Sequence, residues 1–309
     1  MRIASLLPSA TEVVFALGLG DELVGRSHSC DFPPAARDVL PLTRPLAIRG
    51  EATSRRVHER VMRAARTGAG PVTLDGAALA AARPDLVLTQ SACPGCGAGH
   101  AEVAAVLREA GIDATIVDIE PVSIEGIFNA ISTIGAMADA EDEAVGLLEI
   151  LRERLSELEE QVQRRRARGV QPRRVVCLEW LDPPFGTGLW IPEQVRRAGG
   201  WDVLGSEGSH APQTTWKAVM EVDPEQLLLM PCGMTARQAA DEWARTERPA
   251  GFAGMRAVRR GEVVALDGSA YFDRPGPRVI DGIALLAELF DPQGFEDVAP
   301  ADGWIPLGI

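Results

Sequence analysis

The chain has 309 residues, 46% hydrophobic and 24% charged, a balance that supports a packed core and excludes wholesale disorder or a disulfide-held mini-fold. At roughly 150 residues per domain, that length predicts two domains. The formal net charge of −13, with Lys217 as the only lysine, argues against a nucleic-acid ligand, because an acidic chain repels phosphate backbones unless a local patch overrides the field. The densest basic run, Arg164 to Arg168, lies at the end of a predicted helix.

The first residues pass straight into Pro8-Ser9-Ala10-Thr11-Glu12, which leaves no room for a charged segment, an apolar run and a cleavage site. No run of 18 apolar residues occurs. Five cysteines in this length are not a disulfide framework, and the odd count favours reduced thiols. The expected compartment is the cytoplasm; an upstream start would change it to the periplasm or the cell surface.

In chain order, Arg2 to Leu6 reads as a buried strand, Ala10 to Leu17 as a helix with Ser9 as its N-cap, and Leu23 to Gly25 as a second strand. His28-Ser29-Cys30-Asp31-Phe32-Pro33-Pro34 is a loop by its prolines. Ser54 to Arg66 predicts a helix with Val57, Val61 and Ala64 along one face; Asp75 to Ala82 is a short helix closed by Pro84. Leu86 to Thr89 is a strand, the loop Gln90 to Gly99 carries Cys93 and Cys96, Ala101 to Ala110 is a helix, and Ala114 to Asp118 a strand. From Glu141 to about Arg168 there is no proline, and Val145, Leu148, Leu151, Leu155, Leu158 and Val162 recur at helical spacing. Such a helix spans roughly 40 Å.

The alternation then restarts, with strands at Arg174 to Trp180, Leu227 to Met230 and Val263 to Leu266, and helices at Glu193 to Ala198, Thr215 to Val222, Ala236 to Ala244 and Val279 to Leu289. The runs Pro84-Asp-Leu-Val-Leu88 and Pro224-Glu-Gln-Leu-Leu-Leu229 echo each other. The fold class is therefore α/β: two Rossmann-like lobes, residues 1–122 and 171–309, joined by a helical segment 123–170 that contains a single long backbone helix.

Ser5-Leu-Leu-Pro-Ser-Ala-Thr-Glu12, Cys30-Asp-Phe-Pro-Pro34, Arg83-Pro-Asp-Leu-Val87, Asp182-Pro-Pro-Phe185 and Tyr271-Phe-Asp-Arg-Pro-Gly-Pro-Arg278, with the long helix between, resemble the substrate-binding proteins of vitamin B12 and ferric-siderophore ABC importers. The similarity is greatest to a subgroup described as cobalamin-binding proteins, which carry the His-x-Cys-Asp loop, a cysteine-bearing loop after Thr-Gln, and Pro-Cys-Gly. The resemblance implies a class III periplasmic-binding-protein fold, a ligand in the cleft between lobes, no enzymatic chemistry, and an ABC permease as partner. Importer-bound members present a glutamate on each lobe to that permease; here Ala77 and Lys217 fall near those places, with Asp75 and Glu221 close by.

In α/β lobes ligands bind beyond the carboxyl ends of the strands. The loops there hold Ser9, Thr11, His28, Cys30, Asp31, Gln90, Glu179, Trp180, Phe185, Trp190, Tyr271, Phe272 and Arg274, the expected ligand-binding residues. Aromatic faces bury a corrin or porphyrin-like disc, and Trp180 suits core packing equally well. Glu179 and Asp273 suit the amide side chains of a corrin, and Arg274 a carboxylate ligand or an ion pair. His28 is a candidate ligand for a cobalt or iron centre.

Cys93-x-x-Cys96 with Cys232 is a candidate metal site, since thiolates suit zinc, iron and copper, although only one close spacing is present. Buried structural thiols and redox chemistry are the alternatives. No Gly-x-Gly-x-x-Gly, Walker loop or Gly-x-Ser-x-Gly supports an enzyme. The expected ligand is a corrinoid, with cobalamin foremost; a ferric-siderophore or haem-like chelate and a thiol-rich metal-binding or redox role are the alternatives. No cofactor is required.

Overall fold

The computed structural model describes residues 1–45, 53–66, 72–91 and 98–308. They divide into two compact units: Met1–Ile48, Glu59–Pro121 and Glu125–Ile150 form the first, and Arg49–His58, Val122–Ile124 and Leu151–Ile309 the second.

The first unit contains β1 (Ile3–Ser5), α1 (Pro8–Ala16), β2 (Leu23–Arg26), β3 (Thr43–Pro45), most of α2 (Ser54–Arg66), β4 (Val72–Leu74), α3 (Gly76–Ala82), β5 (Leu86–Thr89), α4 (His100–Glu109), β6 (Thr115–Asp118) and α5 (Ile124–Met137). Its parallel sheet runs β2-β1-β5-β6, with Ile3 opposite both Leu23 and Leu86. Every residue of β1 and β5 is buried, as expected for strands covered on both faces. Ala4, Leu6 and Val87 pack with Leu79 of α3 and Val103 and Leu107 of α4. Asp75 starts α3 by accepting from the backbone N–H of Ala78 at 3.0 Å.

α1 begins one residue before the expected cap. Leu7 is the N-cap and Pro8 the first helical residue, a position where its fixed φ is favourable and its missing N–H costs nothing, so Ser9 lies inside the first turn.

α6 (Glu141–Ala167) contributes to both units. Leu148, Leu151, Leu155 and Val162 are buried as their spacing predicts, but Val145 is 56% exposed and Ala144 takes its place in the seam. The helix has acidic residues in its first turn and arginines in its last, the order that the helix dipole favours. Gly169, at φ 89°, turns the chain away from the helical path.

The second unit continues with β7 (Arg173–Leu178), β8 (Trp180–Leu181), β9 (Pro184–Phe185), β10 (Gly188–Leu189), α7 (Ile191–Arg197), β11 (Gly200–Asp202), β12 (Ser206–Glu207), α8 (Trp216–Val222), β13 (Gln226–Leu229), α9 (Ala236–Arg245), α10 (Arg256–Arg259), β14 (Val263–Leu266), α11 (Gly268–Tyr271), α12 (Val279–Phe290) and β15 (Trp304–Pro306). Its sheet runs β11-β7-β13-β14-β15, parallel except for the antiparallel edge strand β15. Val176, Leu178, Leu227, Leu229, Val263 and Ala265 form the centre of its core. Trp216, Trp243 and Phe252 pack beside them with ring centroids 5.3–5.8 Å apart.

Counting only the four parallel strands of each unit in chain order, both sheets read second, first, third, fourth. Each sheet therefore reverses its winding between its first and third strands, the kind of switch point beyond whose carboxyl ends open α/β sheets bind ligands.

All six tryptophans lie in the second unit, so their fluorescence reports on it alone. Truncating the fully buried Leu229 (Leu229→Ala) should cost about 2–5 kcal/mol and lower the fluorescence-detected urea midpoint. An unchanged midpoint would remove β13 from the core.

Candidate functional site

In the first unit the switch point lies between β1 and β5, where Leu6 donates its N–H to Leu88 O at 2.8 Å. The Thr11 hydroxyl lies 2.9 Å from Ser5 Oγ, 3.0 Å from Cys30 Sγ and 3.3 Å from Leu7 O. Thr11, Cys30 and Ser9 are all buried. Thr11 and Cys30 thereby join the loops after β1 and β2, and Ser9 lies buried in the first turn of α1. His28 and Asp31 sit half-exposed on the second of these loops, and Gln90 half-exposed at the end of β5. The His28 ring is set by Thr43, whose hydroxyl is 2.8 Å from Nδ1 and accepts from the His28 backbone N–H at 2.9 Å.

Cys93 and Cys96 lie outside the described residues. Among the described residues no group of three or more His, Cys, Asp or Glu side chains is placed to hold a metal ion, and the expected site of Cys93, Cys96 and Cys232 falls for the most part outside them. The backbone N–H of Cys232 donates to Glu179 O at 2.9 Å.

That hydrogen bond lies at the second unit's switch point, between β7 and β13. The expected strand ending at Trp180 stops at Leu178, because Glu179 turns the chain into the β8–β9 hairpin, where its N–H donates to Phe185 O at 3.1 Å. The Glu179 carboxylate accepts from the backbone N–H of Gly188, yet burial and then the nearby negative Asp273 push its pKa up to about 7. Gly188 admits no side chain: a Cβ there would stand 2.4 Å from backbone atoms of Ser209 and Ala211. Asp273 in turn holds the loop after β13, accepting from the N–H of Gly233.

The aromatics divide into two groups. Phe272 is fully buried and Trp190 nearly so, with the Trp190 indole N–H donating to Phe272 O at 2.8 Å. They tie the loop before α7 to α11. Trp180, Phe185 and Tyr271 are half-exposed, as is Arg274. Trp180 also packs against the core, and its indole N–H is buried with no hydrogen-bond partner among the described residues. Phe185 lies 5.9 Å from the His58 ring, and Arg278 sits over the Tyr271 ring at 5.7 Å.

One polar centre escaped the sequence reading. Asp202, 7% exposed at the end of β11, accepts from the Thr187 hydroxyl and from the N–H groups of Leu204 at 3.3 Å and Cys177 at 3.4 Å. Burial raises its pKa to about 6 against those hydrogen bonds, which pull it down. Its sequence neighbours, Gly200-Trp201 before it and Val203-Leu204 after, do not separate it from surface aspartates. Loop 186–190 is thus held by two carboxylates, Glu179 through Gly188 and Asp202 through Thr187.

Both carboxyls bind protons more readily in the folded chain than in the unfolded one. Their contribution to stability is full below the ordinary carboxylate range near 4 and is lost as pH rises through about 6 for Asp202 and about 7 for Glu179. The stability of the native chain minus that of an Asp202→Asn variant should therefore fall between about pH 4 and about pH 6 and level off above, read from urea midpoints. A difference that is flat or rises with pH contradicts this electrostatic assignment.

Residues 3–270 match the model of a family described as periplasmic binding protein. An ABC transporter substrate-binding lipoprotein of Bacillus subtilis is 24% identical over 96% of this chain and 82% of its own length. A vitamin B12-binding protein of Vibrio cholerae is 25% identical over 91% of this chain and 86% of its own. The crystal structure of a periplasmic haem-binding protein from Pseudomonas aeruginosa superposes with a TM-score of 0.71 at 19% identity, covering 94% of this chain and 92% of that one. The expected cytoplasmic location is overturned by these findings, since the matched family is periplasmic and the Bacillus relative is a lipoprotein. The two α/β units and the family match together make this chain a member of the periplasmic binding protein family, a family of binding proteins and not of enzymes.

Proposed function

We propose that this protein captures a corrinoid of the cobalamin type for an ABC importer, using the carboxyl-end loops of its sheets. The observation that carries this reading is the chemistry of the second unit's switch point. Half-buried Glu179, with Asp273 near it, supplies hydrogen-bond acceptors in the same set of carboxyl-end loops as the half-exposed rings of Trp180, Phe185 and Tyr271. A corrin ring carries amide side chains, which donate hydrogen bonds to such acceptors, and an extended face that aromatic rings cover. The vitamin B12-binding relative from Vibrio cholerae supports the same ligand class, and the Bacillus relative the transporter association.

A haem-like chelate is the second reading. It is favoured by Arg274, whose guanidinium suits a propionate, and by the likeness of fold to the Pseudomonas haem-binding protein. Against it stand Glu179 and Asp273, which a ligand carboxylate would meet as like charges.

Calorimetry with cyanocobalamin separates the two. The corrinoid reading expects saturable binding of one cyanocobalamin per chain, weaker binding of haemin, and a loss of about ten-fold for cyanocobalamin in Glu179→Ala. Haemin binding without any corrinoid heat would replace the first reading with the second. With hydroxocobalamin, a shift in the visible spectrum that disappears in His28→Ala would identify His28 as a cobalt ligand, and an unchanged spectrum would exclude it.

A further inference from the structure

The first turn of α2, as far as His58, belongs to the second unit, although the strands on either side of the helix, β3 and β4, belong to the first and pair at Pro45 and Val72. Three contacts hold the turn there. The Ser54 backbone N–H donates to Glu242 Oε1 at 2.6 Å, and the Ser54 hydroxyl donates to the same oxygen. Arg55 donates its Nε–H to Asp182 Oδ2 at 2.9 Å, and the His58 ring stands with its centroid 5.9 Å from that of Phe185. Asp182 lies in the turn of the β8–β9 hairpin and Phe185 in its second strand, the strand that receives the Glu179 N–H.

Of the three, the contact with Glu242 dominates. Ser54 is fully buried and Glu242 is 2% exposed, so water competes little for their hydrogen bonds. The N–H groups of a helix's first turn lack intrahelical partners and lie at its positive end, which suits a carboxylate acceptor. The second Glu242 oxygen accepts from Arg245 at 3.2 Å, so both oxygens are engaged. By contrast, the Arg55 side chain is 63% exposed, and water screens its pair with Asp182. Ser54 and His58 are four residues apart and share a face of the helix, so the buried anchor fixes where the His58 ring is held. That ring is half-exposed, as Phe185 is. It extends the aromatic surface beside the hairpin and adds a ring nitrogen able to hydrogen-bond an amide.

We propose that His58 contacts the ligand at the rim of the second unit's carboxyl-end loops, and that Glu242, acting through Ser54, is the residue that positions it. The identity of the ligand rests on the corrinoid reading; the positioning by Glu242 does not, because the turn is docked without ligand.

Hydrogen–deuterium exchange without ligand reads the anchor. Exchange across residues 54–58 should quicken about ten-fold in Glu242→Ala, which leaves Ser54 without its acceptor, and return toward the native rate in Glu242→Gln, whose amide oxygen still accepts. Native exchange in Glu242→Ala overturns the positioning role. Should that variant lose its native circular dichroism, Ser54→Pro carries the same test, because it removes both donors at a first helical position that suits proline. Calorimetry with cyanocobalamin reads the contact: binding should weaken about five-fold in His58→Ala and in Glu242→Ala, and recover in Glu242→Gln. Native or tighter binding by His58→Ala overturns the contact. If the native chain binds haemin in place of cyanocobalamin, the corrinoid reading fails and the same variants are titrated with haemin under the same criteria. A native chain that binds neither fails the ligand reading and the His58 contact together, while the exchange result still decides the role of Glu242.

Discussion

The structure depends on one constraint: parallel strands covered on both faces have no side chain to spare for chemistry. β1, β5, β13 and β14 are buried at every position, and their apolar side chains are consumed by the two cores. Parallel pairing also forbids tight hairpins, so each strand is followed by a crossover that starts with a loop at its carboxyl end. Polar and aromatic residues are displaced into those loops, and the strand order of each sheet decides which loops diverge. In the second unit that places Glu179 at the end of β7 next to the Pro231–Met234 loop after β13, joined by the hydrogen bond from Cys232 to Glu179.

A loop site needs its own scaffold, and buried polar groups supply it. Thr11 with Ser5 and Cys30 does so in the first unit. In the second, Asp202 holds Thr187, Glu179 holds Gly188, Asp273 holds Gly233, and Trp190 is tied to the backbone of Phe272. These contacts explain why residues expected to face a ligand turn inward: preorganising a binding loop requires polar groups beneath it as well as upon it. The raised proton affinity of Glu179 and Asp202 is the electrostatic cost of that arrangement.

The alternation of buried runs and amphipathic segments was enough to read the α/β class and the long helix. Helix α6 was legible because 27 residues pass without a proline, yet the seam was misplaced at its start, where Ala144 and not Val145 packs inward. The short antiparallel pairs, such as β8 with β9, were missed because two-residue strands show no periodicity. α5 was read only as part of the helical segment 123–170, although Ile124, Ile127, Phe128, Ile131 and Ile134 recur at helical spacing and are all buried. In the carboxyl-end loops, the sequence does not tell which side chains point outward. Trp190, Phe272 and Tyr271 are all aromatics in carboxyl-end loops, and only tertiary packing separates the two buried rings from the half-exposed one.

The central claim is that ligand is held by the carboxyl-end loops flanking the switch points and not by the strands or the opposite loops. Hydrogen–deuterium exchange with and without saturating cyanocobalamin tests it most directly, because it reads every backbone amide at once. Slowed exchange concentrated in residues 179–190, 230–234 and 268–274 of the second unit, and in 27–31 and 89–91 of the first, is the predicted result. Protection confined to the amino-end segments, such as 169–173 and 198–200, with the carboxyl-end loops unchanged, would contradict it.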